Sequence, residues 1–241
     1  GAQGSSVVKV CELTVAATGL NEKAAQAAGL SYEKIVLSPL SHAGYYPGGK
    51  LMTMKVLYEK GSQRLLGAQI VGHEGVDKRI DVLATAMQAG LPVTALKDLD
   101  LAYAPPYASA KDPVNLVGFM AENLEQGVVK QFHWEDVAGL PRDGSVTLLD
   151  ARTPGEYSGG CAEGFVNVPL DELRDRLGEI APGKPVYVMC QSGLRSYLAC
   201  RILAQNGYDC YNFSGGYRFY ESVLLDRWTR QNAYPCGVER P

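Results

Sequence analysis

Nine residues, Val188-Met189-Cys190-Gln191-Ser192-Gly193-Leu194-Arg195-Ser196, put a thiol, an arginine and two hydroxyls close together. A thiolate is a strong nucleophile, so the surroundings of Cys190 decide what it can do. Val186 to Met189 is a short apolar run that follows the turn signal Ala181-Pro182-Gly183-Lys184-Pro185, and it reads as a buried strand. A helical period follows, with Leu194, Leu198 and Ile202 expected on one stripe and Gly207 as its stop. Cys190 then lies at a strand-to-helix turn, where unpaired backbone N–H groups and the positive end of a helix dipole converge. Such a cradle favours a thiolate over a thiol. Gly193 lets the backbone curl closely, and Ser192 and Ser196 add donors without bulk. The expected binding set is Gln191, Ser192, Gly193, Leu194 and Ser196 around a catalytic Cys190. The competing reading is a small core residue, since cysteine is among the most buried types.

The flanking sequence extends the pattern. Upstream, VTLLDARTPGEYSGGCAEGFVNVPLDEL (146–173) has a strand ending in Asp-x-Arg, a short acidic helix, a Gly-x-x-x-Gly segment and Asn-x-Pro-Leu. Downstream, NFSGGYRFY (212–220) has a Gly-Gly turn before a final helix. Residues from about 128 to 230 resemble the rhodanese family of sulfurtransferases, with Asp150, Arg152, Glu156, Gly160, Gly164, Asn167 and Pro169 on its positions. Cys161 stands where that family often has a structural histidine. The resemblance implies that Cys190 takes sulfur from a small sulfane-sulfur donor and passes it to a thiol acceptor, by the exchange physics of disulfides. Arg195 is expected as a catalytic partner of Cys190 that orders the loop or neutralises an anionic donor, with Ser192 as a hydrogen-bond donor to it; a salt bridge to a structural acid is the competing reading for Arg195.

Cysteine phosphatases also set Cys and Arg around a helix N-terminus, with five residues between the two. Here there are four, Gln191 to Leu194. The shorter loop makes a smaller cradle, suited to one sulfur rather than to a tetrahedral phosphate.

The chain has 241 residues and a net charge of −3, with no basic surplus to attract nucleic acid and no apolar run long enough for a membrane span. Six cysteines without a C-x-x-C pair, beside three histidines, argue against a zinc site; no metal is expected. Free thiols point to a reducing compartment such as the cytoplasm. The spacing of Cys190, Cys200 and Cys210, on a loop, a helix and a strand, reads as coincidence. The opening GAQGSSVVKV has neither initiator methionine nor signal peptide, which suggests a piece of a longer protein.

In the first half, residues 50–72 read as two strands joined at Lys60-Gly61-Ser62-Gln63, with Met52, Met54 and Val56 on one face. A helix begins near Asp77 and stops at Gly90; another starts at Asp112-Pro113 and runs to Gly127, the expected domain boundary. Two segments, LSHAGYYPGGKLMTMKV (40–56) and DLDLAYAPPYASAKDPVNLVG (98–118), resemble the dimerisation domain of flavin-dependent pyridine-nucleotide disulfide reductases. The branch is the one that includes coenzyme A-disulfide reductase, some members of which carry a fused rhodanese domain. That resemblance implies a homodimer in which two tyrosines assist the partner's flavin site: Tyr45 and Tyr103, with Tyr46 and Tyr107 as alternatives. Packing at an interface is the competing reading for these tyrosines, and a structural role is favoured for His42.

The expected fold is α/β: an α+β dimerisation domain over residues 1–126, then a rhodanese domain over 127–241 with a parallel sheet flanked by helices. No G-x-G-x-x-G fingerprint follows a strand. No cofactor is therefore expected on this chain, whereas FAD, NADH and coenzyme A are implied for the complete protein. A non-catalytic rhodanese-like binding and dimerisation module is the alternative.

Overall fold

The computed structural model describes residues 3–232, so Cys236 lies outside the described residues. A hairpin of β1 (Ser6–Val10) and β2 (Leu13–Gly19) leads through α1 (Glu22–Ala27) to β3 (Tyr32–Leu37), β4 (Met52–Glu59) and β5 (Leu65–Gly72). These form one sheet in the order β1-β2-β5-β4-β3, antiparallel throughout. Alternation along β4 turns Met52, Met54 and Val56 to a face covered by α2 (Val76–Gln88) and α3 (Pro113–Glu125), and Ile80, Leu83, Val114 and Val117 close that core. The strands and helices expected from residues 50–72, 77–90 and 112–127 are thus present.

Helix α3 is defined at both ends by local chemistry. Asp112 caps it with its side chain on the Val114 N–H, Asn115 reaches back to the Asp112 N–H, and Pro113 opens the first turn. At the other end Gly127 takes φ +66°, where the Gly127 and Val128 N–H groups return to the Leu124 and Asn123 carbonyls.

A second sheet follows. It comprises β6 (Lys130–Phe132), β7 (Thr147–Asp150), β8 (Val166–Asn167), β9 (Val186–Met189) and β10 (Cys210–Phe213), in the order β6-β10-β9-β7-β8, all parallel. Helices α4 (Pro154–Ser158), α5 (Leu194–Gln205) and α6 (Gly216–Asn232) complete it. Along β9 the period of two sends Val186, Val188 and Cys190 into the core beneath α5, and Tyr187 and Met189 into the core on the other side with Phe132 and Phe213. Cys190 therefore continues the strand's alternation toward the start of α5.

The buried face of α5 differs from the expected stripe. Leu194 and Leu198 are 65% and 42% exposed, whereas Ser196, Ala199, Cys200, Ile202 and Leu203 are buried. Small residues at 196, 199 and 200 let the helix lie close on the sheet, and that closeness outweighs the burial of two leucines. Among the described residues no helix is long and apolar enough to cross a membrane.

The two sheets meet along the free edge of β3. Among the described residues β3 pairs only with β4, and outward-facing backbone groups along it are met by side chains from the second half. Gln131 Nε2 donates to the Lys34 carbonyl at 2.8 Å, and the Val36 N–H donates to Ser214 Oγ at 3.1 Å. Lys34 Nζ also pairs with Glu135 at 2.7 Å.

Candidate active site

Cys190 follows the last residue of β9, at the carboxyl edge of a parallel sheet, where α/β folds hold their ligands. Its Sγ is fully buried and is met by the Gly193 N–H and by Ser196 Oγ, each at 3.2 Å. Ser196 Oγ also lies 3.1 Å from the Gly193 carbonyl, so its single proton serves one of the two at a time. The hydroxyl on the sulfur is therefore that of Ser196; Ser192 is exposed, as is Leu194, and Gln191 is half-buried. Gly193 adopts φ +99° as the residue before α5, which turns its amide inward.

Arg152 ties the surroundings of this loop together. It forms a fully buried ion pair with Asp150, at 2.7 Å from Nη2 to Oδ2, and donates to the carbonyls of Glu156 and Gly160 and to Gln191 Oε1. Its guanidinium sits 4.0 Å from the centre of the Tyr217 ring. Asn167 Nδ2 donates to the Asp150 and Arg152 carbonyls. The Asp-x-Arg and Asn-x-Pro segments legible in the sequence are thus the frame of the site.

Arg195 meets an acid. Its two terminal nitrogens bond the two oxygens of Glu156, both at 2.7 Å. Glu156 also closes a capping box with Thr153 at the start of α4. The Arg195 guanidinium, helped by the Thr153 N–H and hydroxyl and opposed by partial burial, holds the Glu156 carboxyl down at about 2. The same contact raises Arg195. Of the two readings for Arg195, pairing with an acid is the arrangement present. Nothing in the sequence around Arg195 marks Glu156 as its partner, because the two lie on different helices.

The remaining thiols divide by exposure. Cys11 and Cys161 are exposed and free, whereas Cys200 and Cys210 are buried and free. Cys200 on α5 and Cys210 on β10 nevertheless touch, with Cys210 Sγ 3.1 Å from the Cys200 carbonyl, and both share a core with Cys190. The neighbouring Cys210 sulfur, together with burial, pushes the Cys200 thiol up.

In the first half, the hydroxyls of Tyr45 and Tyr103 lie 2.6 Å apart, on exposed side chains from two separate loops. The bond from Tyr45 raises the Tyr103 phenol. Tyr46 instead packs edge-on against the buried His42, and Tyr107 lines a cavity of about 480 Å³ with Ser41, Lys78, Arg79 and Tyr103. Arg79, buried and paired with Asp112, donates to the carbonyls of Ser41 in one loop and Tyr107 in the other.

The comparisons agree with this division of chemistry. Residues 5–113 match the pyridine nucleotide-disulphide oxidoreductase dimerisation domain, and residues 133–222 match the rhodanese-like domain. Coenzyme A disulfide reductase of Staphylococcus haemolyticus is 40% identical over 124 residues, 52% of this chain and 28% of that protein. The crystal structure of reduced Bacillus anthracis CoADR-RHD superposes with a TM-score of 0.90 at 47% identity, covering 93% of this chain and 40% of that one. The NAD-dependent persulfide reductase from A. fulgidus gives 0.81 at 39% identity, covering 91% of this chain and 39% of that one. The chain therefore spans less than half the length of these relatives. Its antiparallel and parallel sheets are the mixed α/β architecture expected from the sequence, and the chain joins a segment similar to the pyridine nucleotide-disulphide oxidoreductase dimerisation domain to one similar to the rhodanese-like domain.

Proposed function

We propose that this chain is the dimerisation and sulfur-transfer portion of a flavin-dependent coenzyme A-disulfide, persulfide or polysulfide reductase. The observation that carries the reading is the Cys190 sulfur, met by the Gly193 amide and the Ser196 hydroxyl at the mouth of a parallel sheet. The thiolate attacks the outer sulfur of a sulfane donor. The S–S bond of the donor breaks, its remaining fragment leaves with the electron pair, and Cys190 carries a persulfide. An acceptor thiolate then attacks the outer sulfur, takes it as a new persulfide, and returns Cys190 as thiolate. Each step conserves sulfur and charge. Gly193 and Ser196 are the donors available to the charged sulfur, while Arg195, held by Glu156, braces the loop.

FAD and NADH belong to this proposal only for the complete protein, since the chain has no dinucleotide fingerprint. Coenzyme A, as persulfide or disulfide, is one small thiol that fits the same exchange. Tyr45 and Tyr103 would face the reductase centre of a second copy, with residues 1–126 forming the homodimer. The complete burial of Cys190 and the occupied Arg195 favour one other reading, a non-catalytic binding module. Trapping of transferred sulfur by cyanide, with thiosulfate and with glutathione persulfide as donors, separates the two. Turnover lost in Cys190→Ser supports transfer, and no turnover by the unaltered chain supports the module.

A further inference from the structure

The turn behind the Cys190 loop is shared between the two halves of the chain. Ser214 follows β10 and is 2% exposed; its amide donates to the Phe132 carbonyl, and its Oγ accepts from the Val36 N–H at 3.1 Å and lies 3.4 Å from the Val36 carbonyl. One hydroxyl thus meets both backbone groups of a single residue on the free edge of β3, in the place of a neighbouring strand.

The next two residues leave no slack. At Gly215, φ +94°, an added Cβ would lie 2.9 Å from Val36 Cγ1; at Gly216, φ +73°, it would lie 2.5 Å from the Ser192 nitrogen. Gly215 packs on the Val36 and Phe219 side chains and Gly216 on the backbone of Gln191 and Ser192, so the turn cannot shift without moving the loop. The following amides then bond the loop directly, Tyr217 N–H to the Cys190 carbonyl at 2.7 Å and Arg218 N–H to the Gln191 carbonyl at 3.2 Å. Residues 214 to 218 therefore run without a break from the edge of the first sheet to the residue that bears the sulfur.

We propose that strand β3 of the dimerisation domain sets the geometry of the Cys190 loop through Ser214, which makes Ser214 a positioning residue for sulfur transfer. The proposal rests on the sulfur-transfer reading above. Its physical content is that docking of the halves and order in the sulfur cradle are coupled: loss of the Val36–Ser214 contact releases the Gly215-Gly216 turn, and with it the carbonyls and amides that hold Cys190. Gln131 supplies an internal comparison. It belongs to β6, and its side-chain amide donates to Glu33 and to the Lys34 carbonyl on the same free edge rather than to the turn.

The test uses the full chain with Ser214→Ala, Ser214→Thr and Gln131→Ala, each checked for an unchanged circular dichroism spectrum. Amide hydrogen exchange is read at Gly193, Tyr217 and Arg218, and sulfur transfer from thiosulfate to cyanide is read in parallel. Exchange at the three amides should rise about fivefold in Ser214→Ala, roughly the worth of one such hydrogen bond, and transfer should fall by a similar factor. Ser214→Thr, which keeps the hydroxyl, should stay near the unaltered protein, and Gln131→Ala should leave these amides unchanged. Unchanged exchange in Ser214→Ala, an equal rise in Gln131→Ala, or no rescue by threonine would overturn the proposal. If the unaltered chain transfers no sulfur, the functional reading falls, while the exchange measurement still decides whether the seam holds the loop.

Discussion

Glu156 and Arg195 meet end on, each terminal nitrogen of the guanidinium on a different carboxylate oxygen at 2.7 Å. The pair joins the start of α4 to the first turn of α5, so it braces the loop that carries Cys190. Arg195 is thereby a strut whose charge is already balanced, rather than a free cation waiting for an anion.

This strut predicts a pH dependence. The Glu156 carboxyl is held at about 2, against 4.5 when unperturbed, chiefly by Arg195. A depressed folded value means that the contribution is complete above about pH 4.5 and is lost as pH falls through about 2. Stability measured by denaturant between pH 2 and 7 should therefore show a gap between the unaltered chain and Glu156→Gln that is constant at neutral pH and closes in acid. Because the pair is partly solvated, the gap should be modest, and a gap that widens in acid would contradict the assignment.

The tyrosine pair gives a spectroscopic prediction. Tyr103 is raised by its bond to Tyr45, so Tyr45→Phe should bring one phenol back down toward 10.0 in an alkaline absorbance titration. Tyr46→Phe should leave that phenol unmoved, because Tyr46 packs on His42 instead.

Arg79 is buried against Asp112 and holds the carbonyls of both tyrosine-bearing loops. Arg79→Met strands the Asp112 carboxylate in the core and should cost about 3–5 kcal/mol in chemical denaturation. A loss below about 1 kcal/mol would show that the pair is replaceable packing.

The exposed and buried faces of α5 predict opposite outcomes for similar leucines. Leu203→Ala, at a fully buried position, should cost about 2–5 kcal/mol, whereas Leu194→Ser, 65% exposed, should stay within about 0.5 kcal/mol. Cys200→Ala should leave sulfur transfer intact, since its neighbouring sulfur and burial keep that thiol protonated.

Much of this architecture was legible along the chain because its signals are local. The β9-turn-α5 unit follows from an apolar run, a cysteine and a glycine; α3 announces itself through Asp112-Pro113 and Gly127. Contacts between distant segments were not legible. The Leu194, Leu198 and Ile202 stripe fits a helical period, yet α5 packs through Ser196, Ala199 and Cys200, because the sheet offers room for a close approach and nothing local reports that room. The choice between Ser192 and Ser196 as the sulfur's hydroxyl turned on which way the first helical turn faces. Glu156 beside Arg195, and Ser214 on the edge of β3, join residues far apart in sequence, and only the folded chain brings them together.

The central claim is that Cys190 carries the transferred sulfur. Intact mass spectrometry after incubation with a sulfane donor tests it most directly: the unaltered chain should gain the mass of one sulfur, lose it on addition of a thiol, and gain nothing as Cys190→Ser. A persulfide that persists in Cys190→Ser would place the chemistry on another cysteine and contradict the account.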